Sequence, residues 1–289
     1  MKAALLPLLM LFTTLVNSQP ANSAQETGIS NNRTRLNFYI ANKPKTLDLF
    51  SRLVILRAKM QGKKFKQELV VIVAGSSREA SDKIIQHLEK KDALIGNLWF
   101  DSHGRYYNGY SSFILGDDEF SYKTIRDSAS THHMKRLAAY VDNQTRVAIG
   151  SCYSGATYNK PATDSTVSTR MNGDSLLIGM ASILHGATIY GAEGWVMTKP
   201  GVFRKHSYAL SGYPIQKKFL DQVYLPVWEN LGKWNSYNAL SGNFEKVNSL
   251  ALTRNGSIHI KSVSYLQKEK YTKRQAKNIG RIERSLASN

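Results

Sequence analysis

Cysteine is almost absent from this chain. Cys152 is the only one in 289 residues, so no disulfide can form within the molecule. Acidic side chains are also scarce: 21 Asp and Glu stand against 39 Lys and Arg, a formal charge of +18. That imbalance argues against cationic partners and favours anionic ones, such as membrane surfaces, cell-wall polymers or acidic proteins. No recognisable nucleic-acid module accompanies the charge, so no specific nucleic acid is expected as a partner. With a single cysteine, no Cys and His set has the spacing of a zinc site, and neither metal nor cofactor is expected. Long apolar runs are limited to one, Ala3 to Val16, and it falls short of the ~20 residues of a membrane-spanning helix. There is no internal repeat and no low-complexity linker.

That run follows Lys2 and leads to small residues at Val16, Ser18 and Ala24, the pattern of a secretory signal cleaved after Ser18 or Ala24. Residues 1–24 are therefore expected to be a signal peptide. It would direct the protein to the periplasm or the exterior, or in a eukaryote to the lysosome or extracellular space. Exported proteins usually pair their cysteines. A thiol left alone needs another reason, and nucleophilic catalysis is the first to test. The remaining chain of roughly 265 residues is enough for one large domain. We read it as an α/β domain over 25–200 and an α+β extension over 201–289 packed on the same domain.

Apolar runs and caps set out the elements. Leu36 to Ile40 predicts a strand, Thr46 to Met60 a helix, and Glu68 to Ala74 a buried strand ended by Gly75-Ser76-Ser77. Ser77 can cap a helix from about Arg78 to Lys91, whose Ile84, Ile85 and Leu88 share one face. Ala93 to Phe100 reads as a strand running into Asp101-Ser102-His103-Gly104, and Phe113 to Asp118 as a short strand and turn. A helix over Lys135 to Val141 precedes the apolar strand Val147-Ala148-Ile149, and Ser175 to Leu184 and Ala187 to Gly191 read as helix and strand. Strands alternating with helices imply a mainly parallel sheet with helices on both faces. Further on, Asn255-Gly256 between Ser249–Thr253 and Ser257–Ile260 signals a hairpin. Tyr265 to Leu286 is basic and helical in pattern, a candidate contact for an anionic surface or polymer.

Reactive groups on such sheets collect beyond the carboxyl ends of the strands. His103 and Cys152 both fall there, 49 positions apart, which is room for one crossover between neighbouring parallel strands. A cysteine nucleophile needs a base within reach and donors for the developing oxyanion. His103 is the candidate base, and the Gly104 and Cys152 amides are the candidate donors. Asp101, two residues before His103, would share its strand face and could orient or charge-tune the imidazole, or simply form a structural ion pair. His132 and His133 offer a different base in a loop or at a helix start. The remaining histidines read as packing or surface residues.

Two apolar strands ending in Ser102-His103-Gly104 and Ser151-Cys152-Tyr153-Ser154-Gly155, with the Leu115-Gly116-Asp117-Asp118 turn between them, resemble the clan CD cysteine peptidases. Caspases, metacaspases, legumains, gingipains and clostripain belong to that group. The likeness covers about Leu69 to Trp195. Gly150-Ser151 stands where caspases have Gln-Ala and legumains Glu-Ala, and the C-terminal third matches no part of the family. The resemblance implies a caspase-hemoglobinase-like αβα sandwich and a His103/Cys152 dyad. Such a dyad would hydrolyse peptide bonds of a peptide or protein substrate through a thioester. It also implies a specificity cleft near the catalytic strand ends and the segment Tyr190 to Trp195. Asp101, Ser151, Glu193 and Trp195 are thus candidate substrate contacts. Glu193 could select Arg or Lys or be a surface acid, Trp195 could wall the cleft or be an ordinary core ring, and Asp117 and Asp118 are alternative acidic determinants or simply turn residues.

Two other functions compete. One is a catalytically inactive binding protein on the same fold, using its basic surface to hold an anionic partner. The other is a hydrolase using Ser151 or Ser154, although neither has serine-elbow spacing.

Overall fold

The computed structural model describes residues 33–43, 49–104, 109–126, 128–157, 159–160, 169–194, 196–198, 207–210, 213–215, 225–227, 234–247 and 250–260. The expected signal peptide, the basic segment from Tyr265 and Trp195 lie outside them.

A seven-stranded mixed sheet forms the centre. Its strands are β1 (Thr34–Asn42), β2 (Leu69–Ala74), β3 (Ala93–Asp101), β6 (Arg146–Gly150), β7 (Thr188–Ala192), β8 (Trp234–Asn238) and β9 (Phe244–Val247). The order across the sheet is β9-β8-β7-β6-β3-β1-β2. β2, β1, β3, β6 and β7 run parallel, and β8 and β9 complete one edge antiparallel. Between β3 and β6 the chain makes a hairpin, β4 (Ser112–Leu115) and β5 (Asp118–Ser121). The architecture is α/β with a mostly parallel sheet, consistent with an αβα sandwich.

The crossovers explain why the two faces differ. β1 to β2 steps toward one edge, whereas β2 to β3, β3 to β6 and β6 to β7 all step toward the other. Right-handed crossovers then place the first connecting helix on one face and the later ones on the opposite face. Helix α2 (Ser77–Lys91) buries Ala80, Ile84 and Leu88, α3 (Ala129–Lys135) buries Met134, and α4 (Gly173–Ile183) buries Leu176, Leu177 and Met180. All pack on Phe38, Ile72, Phe100, Val147 and Ile189 from one side of the sheet. Helix α1 (Leu49–Lys64) brings Ala58 to the other side, beside Tyr39, Trp99, Ala148 and Trp234. One helix cannot cover that face. Leu250, Leu252 and Ile258 complete it, from a four-stranded sheet of Met197–Thr198, Ser207–Leu210, Leu250–Leu252 and Ile258–Ile260. The expectation of helices on both faces is thus met by one helix and a small sheet on this side.

The segment beyond residue 200 also supplies β8 and β9 to the central sheet. The Asn255-Gly256 hairpin forms as expected, with Gly256 at φ 85°. The cap of α2 is one residue earlier than expected. Ser76 Oγ accepts from the Glu79 amide at 3.1 Å, while the Ser77 amide and hydroxyl both donate to Asp118 at 2.6 Å. The expected helix over Lys135 to Val141 is a 3-10 turn, Arg136–Tyr140, that follows α3.

Candidate active site

Sheet register sets the site. Asp101 at the end of β3 pairs with Gly150 at the end of β6. Two residues further on, His103 and Cys152 leave neighbouring parallel strands at the same level. Gly104 packs directly over the second loop: a Cβ there would sit 2.4 Å from the Cys152 carbonyl oxygen and 3.2 Å from that of Ser112. No side chain larger than hydrogen fits between the loops. Ser102 fixes the first loop by accepting from the Ile114 amide at 2.9 Å and donating to the His103 carbonyl at 3.0 Å.

The cysteine turn is held more tightly. Tyr153 has φ 60°, a left-handed conformation that costs a non-glycine residue about 1–2 kcal/mol. Its ring is fully buried beside Ala156 and Met171, its amide donates to Gly194 O at 2.8 Å, and its carbonyl accepts the Ser111 hydroxyl at 2.7 Å. Gly155 lies against β7, where a Cβ would meet the Gly191 oxygen at 2.2 Å. From the C-terminal third, buried Asn235 donates to the Gly155 carbonyl at 2.6 Å. Ser151 and Ser154 are fully buried, and their hydroxyls donate to Ser112 O and Ile149 O, each at 2.9 Å. Both are thereby committed to holding backbone.

Cys152 is half-buried. Its sulfur accepts the Val196 amide at 3.4 Å and lies 3.9 Å from the Val196 carbonyl. Burial pushes the thiol up to about 11; hydrogen bonds from the Val196 amide and its own amide oppose this, and the Asp101 charge adds to it. The thiol is therefore protonated at rest near neutral pH. His103 is exposed, and among the described residues its imidazole makes no hydrogen bond to the sulfur. The Gly104 and Cys152 amides donate to no backbone carbonyl there either.

Asp101 points to the face carrying Tyr39 and Trp99. The Tyr39 hydroxyl donates to Asp101 Oδ2. Burial raises the Asp101 carboxyl, while the Tyr39 hydrogen bond and the charge of His103 pull it down. Tyr39 itself is raised, by burial first and then by Asp101. Glu193 is buried and forms an ion pair with Lys246 at 3.0 Å. Asp118 holds the start of α2, and His132 and His133 sit on α3, which packs on the opposite face of the sheet.

The structure therefore brings His103, Gly104, Cys152 and Asp101 together at one sheet edge. Tyr39, Val196, Ser111 and Asn235 join them without having been singled out in the sequence. For Tyr39 the available signal was a hydroxyl inside the otherwise apolar stretch Phe38 to Ala41, which requires a partner when buried. No three His, Cys, Asp or Glu side chains are grouped to hold a metal among the described residues. The chain matches no protein-family model and no curated protein sequence.

Proposed function

We propose that this chain is an exported cysteine endopeptidase of the clan CD type, on a caspase-like sandwich. The observation that carries the reading is the Asp101–Gly150 register, which sets His103 and Cys152 side by side beyond two parallel strands. The Cys152 sulfur attacks the scissile carbonyl while His103 takes the thiol proton, and the Gly104 and Cys152 amides receive the oxyanion. His103 returns the proton to the leaving amine, leaving a thioester on Cys152. Water, deprotonated by His103, then releases the acid and regenerates the thiol. A thiol near 11 means that the proton moves during attack rather than before it.

Purified protein is incubated with a mixed peptide library and cleavage is read by mass spectrometry. Wild type should cleave, and Cys152→Ala and His103→Ala should lose at least about a thousandfold. Wild-type turnover in Cys152→Ala overturns the proposal.

A second reading rests on the same thiol. Its sulfur is engaged by the Val196 backbone and is not bonded to the imidazole, as in a binding protein that retains the fold without the reaction. With a formal charge of +18, such a protein would hold an anionic surface. Its mark is binding that falls steeply with salt and is unchanged in Cys152→Ala.

A further inference from the structure

We propose that Asp101, held by Tyr39, is a positioning residue whose carboxylate favours the His103 imidazolium formed when the Cys152 proton moves. The inference rests on the peptidase reading for its catalytic half, but the effect of the charge on the thiol can be measured without it.

The geometry comes from three strands. Asp101 is the last residue of β3, on the face shared with Trp99. Tyr39, on neighbouring β1 and opposite Trp99 in register, is fully buried and gives its hydroxyl hydrogen to Asp101 Oδ2. Among the described residues, the titratable groups whose charge or hydrogen bond bears on Asp101 are Tyr39 from β1, His103 beyond its own strand and Cys152 beyond β6. An acid half-buried there is costly unless its charge is used or satisfied. Tyr39 can donate to the ionised acid, and burial keeps the tyrosine neutral.

The sign of the effect reverses along the reaction. At rest, a negative charge beside the sulfur opposes its ionisation. Once the sulfur has attacked, negative charge has moved out to the carbonyl oxygen, while the new positive charge is on His103, two residues from Asp101. The same carboxylate therefore protects the resting thiol and stabilises the transition state.

Asp101→Asn keeps the shape and still accepts from Tyr39. It should react about threefold faster with iodoacetamide at pH 7.5 and cleave peptide at least about tenfold more slowly. A residue that only supports the fold would not move these rates in opposite directions. Tyr39→Phe leaves the charge but removes the donor that lowers the carboxyl. The acid limb of its turnover should shift to higher pH, with activity recovered as pH rises. Folded Asp101→Asn that alkylates at the wild-type rate, or alkylates faster with undiminished cleavage, overturns the proposal. Should Asp101→Asn not fold, an unmoved acid limb in Tyr39→Phe overturns it. If wild type cleaves no peptide, the peptidase reading and the positioning role fall together. The alkylation arm then still reports whether the Asp101 charge reaches the thiol.

Discussion

The protonation state of Cys152 is open to direct measurement. At about 11 against an ordinary 9.0, the thiolate fraction at pH 7 is about 10⁻⁴ rather than about 10⁻². That alone would slow a neutral alkylating agent about a hundredfold. A more basic thiolate is intrinsically more nucleophilic, by about 0.4–0.5 log units per unit of pKa, which recovers nearly tenfold. Iodoacetamide should therefore label Cys152 about tenfold more slowly than an unfolded cysteine peptide at pH 7. The logarithm of the rate should climb about one unit per pH unit up to pH 9.5 without levelling. His103→Ala should follow the same line, because the imidazole makes no bond to the sulfur at rest. Labelling followed by intact mass reads both rates. A plateau between pH 5 and 8 would refute the reasoning, because it requires a thiolate–imidazolium pair already formed in the free protein.

The same value has a stability consequence. The folded thiol is raised, so the neutral form is the stabilising one: its contribution is complete below about 9 and is lost as pH rises toward 11. Two pH units correspond to at most about 2.7 kcal/mol. Denaturant unfolding of wild type and Cys152→Ser at pH 8 and pH 11 isolates it, since lysines and tyrosines titrate in both. Wild type should lose more stability than the serine variant across that interval.

Two substitutions examine the loops. Gly104→Ala drives a methyl to 2.4 Å from the Cys152 carbonyl oxygen, so the loops must part. Denaturant unfolding should reveal a loss of about 1–3 kcal/mol, with peptide cleavage falling more than that loss accounts for; wild-type stability would mean the contact is slack. Asn235→Leu leaves the buried Gly155 carbonyl without its 2.6 Å donor and should cost about 1–3 kcal/mol by the same assay. If cleavage survives undiminished in that variant, the C-terminal third does not tune the cysteine turn.

How much of this was legible in residue order follows from what each segment buries. β2, β3, β6 and β7 read as apolar runs, broken in β3 only by Gly96-Asn97, because both of their faces pack against the core, and such runs can be read without knowing their neighbours. His103 and Cys152 were legible for a related reason: each directly follows such a run, and parallel strands align their ends. Helix α3 was not, because only Thr131 and Met134 of its seven residues are buried, too few to mark a face. The choice between Ser76 and Ser77 as cap cannot be made locally, since either hydroxyl can cap a helix. Asp118, 41 residues away, claims Ser77 and leaves Ser76 to the helix.

The C-terminal third was opaque for a deeper reason. Its strands are short and antiparallel, and their worth lies in what they cover. Three of the four crossovers place their helices on one face, so the other face is left with α1 alone over Tyr39, Trp99 and Tyr190. That is the face on which Asp101 lies. Without the strands that follow β7, these rings and the Tyr39–Asp101 bond would face water, and high dielectric would weaken any charge effect of Asp101 on His103 and Cys152. The small sheet of Leu250, Leu252 and Ile258 closes the face, while Asn235 fastens the cysteine turn. The last third therefore covers the face on which Asp101 lies and holds the cysteine turn in place, two roles that no local pattern in its short strands announces.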